Sequence, residues 1–249
     1  MSLFLQKEEF ASVRLFRTSA FCLVPSALTI NHWLVWQLVD SAFPSGGFTH
    51  SGGLEAAAQH GDVATVDDVG RTAAVAVKQA GRLTLPIVLA AHRSPGEVES
   101  LDALADLVLN QPVGNRASRA QGRSFLASAA RVFPQAPIHQ LAEETRVEDR
   151  AGHHAPIFGA VLSHLGLDAD TTARLFLYHT GRTVTAAGVR LGLLGVFDAQ
   201  RLQPALAQEI DATLDGCRSL RLADIAQTAP ILDLFQSTHD RLYSRLFQS

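Results

Sequence analysis

Thr49-His50-Ser51-Gly52-Gly53 sets a serine directly after a histidine and ahead of two glycines, the residue types of a serine nucleophile and its base. A nucleophile elbow needs a glycine two residues before the serine and a strand leading into the turn. Here Thr49 holds that position and a Pro/Gly run leads in, so a serine hydrolase using Ser51 and His50 stands only as an alternative. A phosphate cradle on Pro44-Ser45-Gly46-Gly47 fails in a similar way. A P-loop requires Lys and then Ser or Thr after its last glycine, whereas Phe48 follows here, and the chain is expected not to bind nucleotide by itself.

The ten histidines raise metal chemistry. No two lie four residues apart, the spacing that puts two imidazoles on one helical face, and no HExxH or Cys/His cluster occurs. His153 and His154 read as an exposed pair at the start of a helix, ahead of Pro156. His50 reads as a hydrogen-bonded structural histidine. Ser51 reads as the N-cap of the next helix, with Glu55 one turn on to complete the cap. Phe48, an aromatic on a glycine loop, is either a plug in the core or an anchor for a partner's pocket.

These residues lie in Ser41 to Glu55 (SAFPSGGFTHSGGLE), between two stretches that read as helix, His32 to Asp40 and Leu54 to Gln59. Pro44 closes off the first helix, and the glycines allow conformations or close approaches that a side chain would block. Further helices read over Val66 to His92 with a break at Pro86, Glu97 to Leu109, Arg116 to Val132, Ile138 to Val147, Pro156 to Leu165, Asp170 to Val196 and Leu202 to Leu220. Alternating β-branched runs are missing. The expected fold class is all-α, a single domain of about eight to ten helices over 32–227, flanked by an extension of doubtful order (1–31) and a C-terminal interaction segment (228–249).

Thr183 to Val196 is apolar on nearly every face and carries Gly188, Gly192 and Gly195, so it reads as a central helix that lets a neighbour approach, and Arg190 on it calls for a carboxylate partner. After Pro230, ILDLFQSTHDRLYSRLF interleaves apolar residues with arginines. That pattern fits either a last helix docked on the core or a tail that orders when a partner arrives.

The chain has 249 residues, 47% of them hydrophobic, which is enough for a sizeable core and excludes a disordered chain. A net charge of -3 gives no reason to expect nucleic acid or an anionic membrane as a partner. Lys7 and Lys78 are the only lysines, so arginines carry almost all the positive charge, and their planar fork suits carboxylates. Cys22 and Cys217 are far apart, which fits a reducing, cytoplasmic setting. Arg14, Arg17 and Ala20 to Ile30 only faintly resemble a secretion signal.

The run LVDSAFPSGGFTHSGGLEAA resembles the opening signature of the UreF family of urease accessory proteins, and HDRLYSRLFQS (His239 to Ser249) resembles that family's ending. NRASRAQGRSFL, HHAPIFGAVLSHLGL and TAAGVRLGLLG resemble its more degenerate blocks, so the likeness covers Trp33 to Ser249. It implies a scaffold without catalytic activity, acting in the maturation of nickel urease. Such a scaffold would dimerise, assemble with UreD (also called UreH) and recruit the GTPase UreG to apo-urease. It implies no tightly bound cofactor, only transient passage of nickel. The partner-binding residues it points to are Pro44, Ser45, Gly46, Gly47, Phe48, His50, Ser51, Gly53 and Glu55 in the loop, with His239, Tyr243, Ser244, Arg245, Leu246 and Phe247 in the tail. A helical interaction domain unrelated to nickel is the remaining alternative.

Overall fold

A computed structural model describes residues 31–249. The expectations for the segment before Asn31 fall outside the described residues, as does Cys22. Among the described residues there are eleven α-helices and no strand. They are α1 (His32–Val39), α2 (Leu54–His60), α3 (Val66–Leu83), α4 (Leu85–Arg93), α5 (Val98–Val108), α6 (Pro112–Val132), α7 (Ala136–Val147), α8 (His154–His164), α9 (Ala169–Arg190), α10 (Val196–Cys217) and α11 (Pro230–Thr238).

Local chemistry sets most of the boundaries. Thr65 and Asp68 form a reciprocal capping box at the start of α3, and the Asp168 side chain accepts from the Thr171 amide at the start of α9. The expected break near Pro86 falls at Thr84, and the proline sits in the first turn of α4, where its missing N–H costs nothing. The stretch expected to be one helix from Asp170 to Val196 divides instead. Gly192 takes φ +73°, in the left-handed region, so α9 ends at Arg190 and α10 begins at Val196. Asp198 holds the Gly195 amide at 3.2 Å, which starts α10 earlier than expected and places Pro204 inside it.

The most enclosed helix is α8 rather than the glycine-rich end of α9. Every residue from His154 to Leu162 is buried, packed between α4, α6 and α9. Its Phe158 ring lies 5.2 Å from Phe125 of α6 and 5.6 Å from Phe176 of α9, an aromatic cluster that ties three helices together. α3 packs on α9 and α10 at the other side of this core. No single helix among the described residues is long and apolar enough to cross a membrane. α3 and α4 reach that length only as a pair bent by 47°.

α11 lies against α2 and α6. Beyond it, a 3-10 turn (His239–Arg241) redirects the chain toward α2 and the loop that follows α1. The segment is therefore docked on the helical body.

Candidate functional site

The glycine loop and the C-terminal segment, the two ends of the sequence signature, form one site. Glu55 on the first turn of α2 is 2% exposed, and its carboxylate accepts from His239 Nε2 at 2.9 Å and from the backbone amides of Leu246 at 2.6 Å and Phe247 at 3.1 Å. The Gln248 amide donates to the Thr49 carbonyl at 2.9 Å. Ser51 donates twice to the Ser249 backbone oxygen, from its amide at 2.6 Å and from its hydroxyl at 2.9 Å, and His50 Nδ1 lies 2.7 Å from Ser249 Oγ. Gln59 Nε2 donates to the Ser244 carbonyl at 2.9 Å.

This bonding divides the candidate residues by direction. Gly47, His50, Ser51, Gly53, Glu55, His239 and Phe247 are buried, and of these His50, Ser51, Glu55, His239 and Phe247 hold the two segments together. Ser45 and Gly46 are half-buried. Pro44, Phe48, Tyr243, Ser244, Arg245 and Leu246 are exposed, with Phe48 at 67% and Tyr243 fully open to solvent. Phe48 is thus not a core plug. A Cβ on Gly46, which has φ +78°, would stand 2.9 Å from Ser124 Cβ, and one on Gly47 would stand 3.1 Å from both Gln121 Nε2 and Thr183 Oγ1. A side chain at Gly46 would clash with α6 and strain the backbone, and one at Gly47 would need Gln121 and Thr183 to give way.

Several expectations are corrected here. Gly53 occupies the N-cap position of α2 without a side-chain cap, while Ser51 and Glu55 bond to the tail. The Ser51 hydroxyl is buried and bonded to the Ser249 backbone oxygen, so it forms no nucleophile–base pair with His50. Arg190 meets no carboxylate among the described residues. It donates to the Phe48 carbonyl, and its guanidinium carbon lies 4.2 Å from the Phe48 ring centre and 4.3 Å from that of Phe247. His153 and His154 are buried, not exposed. His153 is fixed through its amide to Asp102 at 2.6 Å and through its ring to Asp106 at 3.0 Å and Ser118 at 3.1 Å.

Two cavities adjoin the loop. One, of about 230 Å³, brings His50, His154 and His179 into a common lining. Burial pushes all three imidazoles down, His50 to about 4, His154 to about 3 and His179 to about 4, with further depression from neighbouring positive charge. His154 Nδ1 is buried without a hydrogen-bond partner. Among the described residues no three His, Cys, Asp or Glu side chains stand close enough together to hold a metal ion. The other cavity, of about 350 Å³, lies between the loop and α9, lined by Arg182, Arg190, Thr183 and the loop from Asp40 to Phe48. Sequence reasoning missed His154, His179 and Arg182 as parts of the site. Their positions on α8 and α9 carry no local motif, although His179 follows the apolar run Leu175-Phe176-Leu177 on a helix with a buried face.

Residues 63–207 match the sequence profile described as UreF. A protein named urease accessory protein F from Oryza sativa subsp. japonica is 36% identical over 219 residues, covering 86% of this chain and 84% of the rice protein. The protein of the same name from Arabidopsis thaliana is 36% identical over 222 residues, 87% of this chain and 92% of its own length. One named urease accessory protein UreF from Mycobacterium tuberculosis is 30% identical over 219 residues, 85% of this chain and 96% of its own length. The profile match leaves the loop and the tail outside its limits and spans the three more degenerate blocks.

Proposed function

This chain belongs to the UreF family of urease accessory proteins, and from that premise we propose that it is a non-catalytic cytoplasmic scaffold that assembles with a UreD/UreH-type protein, dimerises, and recruits a UreG-type GTPase to apo-urease for nickel insertion. The observation that carries this reading is the composite surface of loop and tail. Glu55, His239, Phe247 and Ser51 fix its underside, and Phe48, Tyr243, Arg245 and Leu246 face outward. Exposed aromatic, arginine and aliphatic side chains on a rigid support suit a partner interface, because little conformational freedom remains to be lost on docking.

Nickel is cargo in this scheme and is not retained. The three imidazoles, kept neutral by burial, are nitrogen donors of a type that suits a borderline metal. The chain supplies no phosphate loop, so GTP chemistry falls to the GTPase partner.

The test is reconstitution. The purified chain should give a dimer mass by light scattering and a defined larger complex once UreD-type and UreG-type proteins are added, and deleting its gene in a urease-positive host should leave urease inactive. A monomer that forms no complex, or full urease activation without the gene, would refute the proposal.

A further inference from the structure

The 350 Å³ cavity under the loop presents two guanidiniums to one space, those of Arg182 and Arg190, two turns apart on α9. Neither forms an ion pair among the described residues. Arg182 donates to the Val39 carbonyl and Arg190 to the Phe48 carbonyl, one such bond each out of the five N–H groups a guanidinium carries. Asp40 is the one acidic residue among the described residues lining the cavity, and its Oδ1 already accepts from the Ala42 amide at 2.7 Å. Arg190 is also flanked by aromatic rings, its guanidinium carbon lying 4.2 Å from the Phe48 ring centre and 4.3 Å from that of Phe247. The planar fork of a guanidinium matches two coplanar oxygens, the geometry of a carboxylate or carbonate group, better than it matches a tetrahedral anion.

We propose that this cavity is a binding site for a small planar oxyanion, of formate or bicarbonate chemistry, held by the N–H groups of Arg182 and Arg190. The site lies beneath the signature loop rather than on its outer surface. It therefore goes beyond the scaffold reading and does not depend on any partner protein.

The experiment uses the full chain alone, with arginine side chains labelled at Nε and followed by NMR during titration with formate, then bicarbonate, against chloride at matched ionic strength and sulfate as the tetrahedral comparison. The expected result is a saturable shift of two arginine resonances with formate and bicarbonate. Those two resonances should vanish one at a time in Arg182→Lys and Arg190→Lys. Either lysine variant keeps the charge and loses the fork, so affinity should fall about tenfold or more in variants that melt like the parent. Because Arg190 also supports the loop, Arg182→Lys decides the matter if Arg190→Lys lowers the melting temperature. No saturable shift, equal affinity for sulfate, or unchanged binding in Arg182→Lys would overturn the proposal. Each of those results leaves the assembly reading standing, since no partner is present.

Discussion

Replacing Glu55 by Gln removes the acceptor on which the tail converges. The carboxylate takes three hydrogen bonds, from His239 at 0% exposure, from the amide of buried Phe247 and from the amide of Leu246. Glutamine keeps one oxygen and turns an NH₂ group toward those donors, so at least one donor loses its partner and the charge-assisted character of all three is gone. A buried donor left unpaired costs about 1–3 kcal/mol, and two such losses amount to about 2–6 kcal/mol against the docked tail. The segment from His239 onward can open locally without unfolding α3 to α10, so the loss should appear first as local opening. At about 1.4 kcal/mol per tenfold, a loss of about 3 kcal/mol speeds amide exchange of Leu246 and Phe247 by more than about a hundredfold. Amides of α8 should keep their protection. Hydrogen exchange of parent and variant measures both, and wild-type exchange at Leu246 and Phe247 in the variant would refute this account of the tail.

Three further outcomes follow from the same geometry. Neutral His50, His154 and His179 resist protonation down to about 4, 3 and 4, while an unfolded chain protonates each near its ordinary value of about 6.5, so unfolding takes up protons between those limits. The stability these groups contribute is fully present above about pH 6.5 and falls as pH drops toward 4, by at most about 1.4 kcal/mol per pH unit per imidazole; a melting temperature that stays flat from pH 6.5 to 4.5 would contradict this. Gly46→Val and Gly47→Val should each impair urease activation and lower the melting temperature, whereas Ser45→Ala should do neither, because an added side chain at either glycine crowds its neighbours; equal behaviour of all three variants would refute the close approach. Deleting Thr238 to Ser249 strips Phe247 from Arg190 and uncovers Glu55, so thermal unfolding should shift downward by several degrees, and an unchanged melting curve would mean that the segment is not docked in solution.

The all-α class and most helices were legible because their signals are local, as with the Thr65/Asp68 box, the Asp168 cap and Pro86 in a first turn. The loop and the tail were each visible as unusual segments, yet their union was not. Glu55 and His239 are 184 residues apart, Ser51 and Ser249 are 198 apart, and no periodicity links positions at that separation. Local capping logic therefore assigned Ser51 and Glu55 to the nearest helix end, when their partners lie at the far end of the chain. The choice for Arg190 failed for a related reason. Arg190 donates to a carbonyl and lies against two rings, contacts that no sequence pattern marks. The place of His153 and His154 at a helix start suggests exposure, but α8 is enclosed from its first turn by its neighbours.

The central claim is that loop and tail make one surface whose underside is structural and whose outer side chains meet a partner. Phe48→Ala, Tyr243→Ala and Leu246→Ala truncate exposed positions only, so each variant should melt within about a degree or two of the parent, since surface changes usually stay within ±0.5 kcal/mol. Truncating an interface anchor costs about 2 kcal/mol or more, about thirtyfold in affinity. Titrating the UreD-type partner into the parent and into the Phe48→Ala/Tyr243→Ala/Leu246→Ala triple variant by calorimetry measures this most directly. The account predicts a folded variant with binding weakened at least about thirtyfold; a variant that melts normally and binds the partner as tightly as the parent would contradict it.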